Sequence, residues 1–379
     1  MKKVYLDHAA TSPIHPDVAD QMMKVMTDTF GNPSSIHSFG REARRILDES
    51  RRMLANSIGA SPGELIFTSG GTEADNLAII GTALANQQIG KHIITTEIEH
   101  HAVLHTCKYL EKIGYDITYL PVNKSGLISV DDLKQHLTDQ TVLVSIMFGN
   151  NEVGSIQPIR EIGKLLKEYP AYFHTDAVQA YGIEEINVQE LGVDLLTASA
   201  HKINGPKGIG FLYAKAGIKL QPSLYGGEQE LKRRAGTENV AGISGFSRAA
   251  EIAATNREGK REEYKKYKQE MISIFKEHDI QFEVNGELSG LPHVLNIYFP
   301  KTQIESLLVN LDLAGIAASS GSACTAGSVD PSHVLVSMFG KDSDRIISSV
   351  RFSFGLGVTL EDIRYSAHEI SKIVKRVTA

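Results

Sequence analysis

The 379-residue chain has few of the features that would tie it to an oxidising or membranous setting. It carries two cysteines, Cys107 and Cys324; two thiols make no disulfide framework and suit a reducing cytoplasm. No stretch approaches ~18 uninterrupted apolar residues, so no membrane span is expected. No signal-peptide pattern opens the chain, because residues 1–7 lead straight into the polar run 8–13. Positive charge is not in excess: 39 basic and 45 acidic residues leave a formal charge of −6. Direct nucleic-acid binding is therefore not expected. Internal repeats and low-complexity tracts are absent too.

What remains is ordinary globular material, 42% hydrophobic and 22% charged. The length suggests two domains of roughly 100–200 residues each. Between residues 40 and 250, short apolar runs alternate with helical patterns. Strands are expected over 65–68, 92–95, 116–120, 142–147, 172–175, 195–199 and 210–213, with helices over 72–85, 104–113 and 159–168. Several strands are apolar throughout, which suits strands covered on both faces. The pattern predicts an α/β fold with a mainly parallel sheet and ligands at its strands' carboxyl ends. Residues 256–278 then form a long charged helix with Tyr264, Tyr267, Met271 and Phe275 on one face. It leads into a smaller α+β unit with a strand over 294–299 and a terminal helix over 360–378. The arginines 41, 44, 45, 51 and 52 read as a solvated or partner-facing helix surface.

Four segments carry chemistry. Lys202 follows an apolar strand and precedes a Gly/Pro-rich turn, Ile203-Asn-Gly-Pro-Lys207-Gly. A lysine held there can act as a Schiff-base amine if burial and nearby cations lower its pKa; the alternative is a surface lysine in a turn. Phe67-Thr-Ser-Gly-Gly-Thr72 runs from a strand through two glycines into a helix, a possible phosphate cradle or simply a tight turn. Asp176, three residues before Gln179, could meet a pyridinium nitrogen while the glutamine reaches the ring oxygen, or could serve as an N-cap. His100 at another strand end could stack on such a ring and move protons. With His101 and His105 it lacks a nearby cysteine to complete a zinc set, so no metal is expected.

Together these motifs resemble a fold-type I pyridoxal 5′-phosphate (PLP) enzyme, and specifically the NifS/IscS-like cysteine desulfurases of the class-V aminotransferase superfamily. The resemblance spans Tyr5–Thr11, Gly31–His37, Thr68–Asn76, Asn150–Gly154, His174–Gln179, Ser199–Gly205, Arg234–Asn239, Ser320–Cys324 and Arg351–Ser353. It implies a large PLP-binding α/β domain over 15–255, and a smaller α+β domain over 1–14 and 256–379. Lys202 would carry the Schiff base. Gly71, Thr72, Ser199 and His201 would bind the phosphate, and Thr237 the phosphate of the neighbouring subunit in a homodimer. His100 would stack on the ring, with Asp176 on its nitrogen and Gln179 near its phenolic oxygen. Asn151 and Arg351 would hold the substrate carboxylate.

The implied reaction is sulfur removal from L-cysteine. It leaves L-alanine and a persulfide on Cys324, and the sulfur then passes to an acceptor protein such as an iron–sulfur scaffold or a tRNA thiolase. Lys202, His100 and Cys324 would be its catalytic residues, the last on a small-residue loop over 318–333 expected to move between cofactor and acceptor. The length of that loop resembles the class with an extended cysteine loop; the Arg-Xaa-Gly-His-Xaa-Cys motif of the other class is absent. Selenocysteine lyase or another fold-type I enzyme is the alternative. Leu356 stands where many relatives carry a basic residue. Cys107, within a helical pattern, reads as an inert buried thiol.

Overall fold

A computed structural model describes residues 2–321 and 331–378, with the backbone alone at 324–325 and 328–329. Seven strands form the large sheet: β1 (Leu65–Thr68), β2 (His92–Thr96), β3 (Asp116–Leu120), β4 (Thr141–Ser145), β5 (Tyr172–Asp176), β6 (Leu195–Ser199) and β7 (Gly210–Ala214). Their order is β1-β7-β6-β5-β4-β2-β3, parallel except that β7 runs antiparallel to both its neighbours. β1, β2, β4, β6 and β7 are buried at every position. That double-sided burial is why they read as continuous apolar runs rather than alternating ones.

Helix α1 (Pro16–Asp28) and helix α2 (Ser38–Asn56) pack beside the sheet, while α3 (Gly71–Ala85) and α4 (His101–Lys112) follow β1 and β2. α4 starts three residues before its expected position because His100 caps it, its Nδ1 accepting from the Ala102 N–H at 3.1 Å. Leu47, Phe67, Phe173, Phe211 and Phe246 share one core on one side, and Ile66, Leu77, Val103 and Leu143 share another. On α2, Arg44 and Arg45 make exposed pairs with Asp48 and Glu49, as a solvated face should. Arg51 departs from that expectation. It turns inward, where its guanidinium pairs with buried Glu230 at 2.5 Å and donates to the Leu65 carbonyl.

α5 (Val240–Thr255) hands over at Asn256 to α6 (Arg257–Glu277), whose buried face holds the predicted Tyr264, Tyr267, Met271 and Phe275 together with Ile274. These side chains cover a three-stranded antiparallel sheet of β8 (Glu283–Asn285), β9 (Val294–Tyr298) and β10 (Ser349–Ser353), ordered β10-β9-β8. The chain start joins the same core: Val4–Tyr5 pair in parallel with Ile316–Ala317, and Leu6 is fully buried. The terminal helix α7 (Leu360–Thr378) begins and ends where the sequence predicts. The backbone of Cys324–Thr325 pairs antiparallel with Ser328–Val329. The expected movement of the segment around Cys324, and that residue's side chain, lie outside the described residues. No described helix is long and apolar enough to cross a membrane.

Candidate active site

A cleft of about 360 Å³ opens at the carboxyl ends of β5 and β6. It gathers residues far apart in sequence: Gly71 and Thr72, His100, Asn151, Asp176 and Gln179, Ser199, His201 and Lys202, and Arg351 all border it. Thr237 does not; it is exposed on the segment before α5 and is not among the residues that border the cleft of its own chain.

Lys202 ends the helical turn Ala200–Lys202 that follows β6 directly. Its Nζ donates to the carbonyls of Ala9 and Ala10 at 2.5 and 2.7 Å. Burial, and then the charge of Arg351, bring its pKa down to about 8. A fraction of the amine is therefore neutral near pH 7, which an ordinary lysine would not offer.

Asp176 closes β5 and is 6% exposed. Its Oδ1 accepts from the Val178 N–H at 2.9 Å, so the N-cap alternative is realised only in part: it caps a turn, not a helix. Burial raises its pKa to about 6, while that N–H and Lys202 draw it back down. Beneath it lies a polar layer that the sequence did not reveal. Asp75, on α3, is 1% exposed, and its Oδ1 has no hydrogen bond. It lies 3.7 Å from His174 Nε2, and burial, then Asp176, push it well above the carboxylate range. His174 is held neutral by burial, its pKa down at about 3, between Ser145 and Thr197. Glu99 is raised to about 8 by burial and accepts from the Met147 N–H.

The β1–α3 turn brings Gly71 against Val178, where a Cβ would come within 2.9 Å of Cγ2. The first N–H groups of α3 have no partners within the helix and no side-chain cap. His100 faces the solvent-reached mouth; surrounding protein, then Lys202, hold its pKa below the usual imidazole value. His201 sits lower, its Nδ1 3.2 Å from Thr11 Oγ1, and burial brings its pKa down to about 4.

Arg351, in the middle of β10 and 3% exposed, donates to Asp7 Oδ1 at 2.7 Å and to the Asn151 carbonyl at 3.1 Å. Neighbouring Glu152 is buried, and its Oε2 accepts from Ser332 at 2.5 Å. The other thiol, Cys107, is fully buried in α4, where burial pushes its pKa up to about 12.

A lysine amine, a buried carboxylate, a helix start and an arginine around one cleft, on this sheet, define a class of enzyme. The chain belongs to the aminotransferase class-V family, whose model matches residues 4–365. Its relatives narrow this to the cysteine desulfurases. A Bacillus subtilis (strain 168) relative that carries the desulfurase name IscS 1 is 58% identical over 379 residues, all of both chains. The cysteine desulfurase IscS of Dictyoglomus turgidum is 47% identical over 99% of this chain and 95% of its own. Among solved structures, a NifS-like protein superposes with a TM-score of 0.92 at 34% identity, covering 99% of this chain and 100% of that one. The structure of SspA in complex with cysteine gives 0.80, also at 34% identity, over 92% and 98%. These are fold-type I enzymes, and the family depends on PLP.

Proposed function

We propose that this cysteine desulfurase holds PLP covalently on Lys202, takes L-cysteine as its substrate and collects the sulfur on Cys324. The observation that carries the reading is Lys202, an amine with a depressed pKa in the same cleft as buried Asp176.

The cleft suits the cofactor. A buried carboxylate with one N–H partner is costly to ionise alone, and a protonated ring nitrogen would satisfy Asp176. Gly71 allows the close turn against Val178, and the open N–H groups of α3 with Ser199, Thr72 and His201 suit a phosphate dianion. His100 would lie on the ring face, and Gln179 at its oxygen. When bound, PLP supplies the electron sink that labilises bonds at the substrate's Cα and Cβ.

The chain's own groups do the rest. Arg351 and Asn151 orient the substrate carboxylate, the guanidinium held for it by Asp7. Released Lys202, partly neutral near pH 7, takes and returns the Cα proton. His100, kept neutral, accepts the proton of the substrate thiol. The Cys324 thiolate forms an S–S bond to the substrate sulfur as the C–S bond breaks, so that cysteine becomes alanine and Cys324 a persulfide.

In the same reading, Thr237, exposed and outside the lining of its own cleft, reaches the phosphate of a second copy in a homodimer. Residues 15–255 act as the cofactor-binding domain, with 1–14 and 256–379 as the domain bearing the cysteine loop. An acceptor protein of iron–sulfur cluster assembly or tRNA thiolation takes the sulfur. A reducing cytoplasm would keep Cys324 a thiol.

Purified protein supplied with PLP is expected to be yellow and to yield alanine and, with a reductant, sulfide. Lys202→Ala should lose both colour and turnover. Cys324→Ala should keep the colour and form no persulfide by mass spectrometry. Wild-type protein that stays colourless would overturn the cofactor reading, and persistent sulfide release from Cys324→Ala would overturn the persulfide step.

A further inference from the structure

On the other side of Lys202 and Gln179 from the cleft lies a small cavity of about 20 Å³, bordered also by His8, Ser12 and His293. Its two histidines take no part in the chemistry described above. His293 directly precedes β9 and is 7% exposed; His8 is 3% exposed, with its ring packed against Gly355, where any Cβ would collide with it.

The hydrogen bonds around the chamber fix one another. A carbonyl can only accept, so the Gln179 atom 2.9 Å from the Ala9 oxygen is the amide nitrogen. The amide oxygen then faces His293 Nε2 at 3.2 Å, and that nitrogen must carry the proton. Neutral His293 leaves Nδ1 as a bare acceptor. Nδ1 and His8 Nε2 are both buried with no hydrogen-bond partner, and both residues border the chamber. The space takes about one water, which would join a His8 donor to the His293 acceptor. The charges facing His293 come from several elements and share one sign: Lys268 on α6, Lys202, Arg351 on β10, and His8 when protonated. None of them favours an imidazolium.

We propose that His293 is a positioning residue. By donating from Nε2 it locks the Gln179 amide with its oxygen backward and its N–H groups forward, toward Ala9 and the cleft. Forward N–H groups favour an anionic oxygen beside Lys202; a flipped amide would repel it. The inference rests on the cofactor reading above, in which that oxygen is the phenolic one. A hydrogen bond to the phenolate weakens its hold on the Lys202-linked proton, so losing the bond should raise the pH at which the chromophore changes.

The test compares His293→Leu, which removes the donor, with His293→Gln, whose amide restores one near Nε2. His293→Leu is expected to move the midpoint of the visible pH titration upward by about one unit, and to lower kcat more than it raises KM. His293→Gln should recover most of the shift, and circular dichroism should find both variants folded. An unchanged midpoint in folded His293→Leu, or a shift that His293→Gln does not reverse, would overturn the proposal. A readout without cofactor separates it from the PLP reading. In protein with ¹⁵N-labelled histidine, the resonance missing from His293→Gln should report an Nε2–H neutral ring from pH 7 to pH 5. An Nδ1–H ring or an imidazolium there would overturn the proposal even if the protein binds PLP as expected.

Discussion

The two sheets deliver chemistry in different ways. The seven-stranded sheet offers it at strand ends: Asp176 is the last residue of β5, Lys202 follows β6 by one turn, and His100 follows β2 after a short loop. The three-stranded sheet offers Arg351 from the middle of β10, opposite Asn296 on β9. Parallel strands joined by helical crossovers leave their carboxyl ends open, and the ends become the site. A small antiparallel sheet has no such edge; it must bring a residue to the cleft from one face, and must then satisfy a buried charge. Asp7 and the Asn151 carbonyl do that for the two terminal nitrogens of Arg351, and its buried Nε has no hydrogen-bond partner among the described residues. A strand-end residue can be exchanged with little effect on packing, whereas a mid-strand one is tied to the core around it.

The comparison can be tested by substitution. The largest effect is expected at a strand end: Asp176→Asn should lower kcat/KM by about 10²–10³-fold, the scale of losing one preorganised electrostatic partner, while the melting temperature changes little. If the fold suffers as much as the rate, the distinction between end and middle fails. Next comes the mid-strand arginine. Arg351→Lys keeps the charge and loses the fork, so KM for cysteine should rise about 10–100-fold with a smaller change in kcat, and the protein should melt earlier.

A smaller effect concerns pH, in the polar layer below Asp176. Unfolded His174 takes a proton near pH 6.5, and the folded residue not until about pH 3. Between those values the unfolded chain binds the extra proton, so stability is lost as pH falls. Glu99 works the other way: raised from 4.5 to about 8, it is protonated in the folded state first, and favours that state as pH falls. His174→Gln should therefore flatten, and Glu99→Gln steepen, the loss of stability between pH 6.5 and 5, each by up to about 1.4 kcal/mol per pH unit. Denaturant midpoints across that range measure both slopes. Smallest of all, Cys107→Ala should cost about 1 kcal/mol in the core and leave sulfur release unchanged.

The same contrast explains what could be read from the sequence. The strands of the large sheet were visible because double burial makes them apolar throughout, and Asp176 and Lys202 because they stand just where those runs stop. Asp75, Glu99, Glu152 and His174 were not, since an ionisable residue normally faces water. Only the three-dimensional structure shows that Asp75, Glu99 and His174 are buried near Asp176 and that Glu152 is buried against Ser332. Arg51 was misread for that reason: its neighbours on α2 are solvated, and its partner Glu230 is 179 residues away. His293 carries no local signal beyond its place before a strand. Arg351 and Asn151 became candidates through the family resemblance alone, because nothing in the pattern of β10 singles out its third residue.

The carbonyls of Ala9 and Ala10 that receive the Lys202 amine belong to a strap running from the Val4–Tyr5 pairing, past Ser353, whose Oγ accepts from the Ala9 N–H at 2.8 Å. The two strap groups that accept from the amine are backbone carbonyls, so no side-chain substitution deletes them, whereas a change of chain length can displace them. Residues 8–10 form a turn, and one residue inserted or removed between Tyr5 and Ala9 would carry those carbonyls off the amine, because the Val4–Tyr5 pairing and the Ser353 bond fix the ends of the segment. A scan of single-residue insertions across positions 5–10 would thus report on the lysine through its backbone partners, whereas alanine scanning of the same segment reports on side chains such as Asp7, the partner of Arg351.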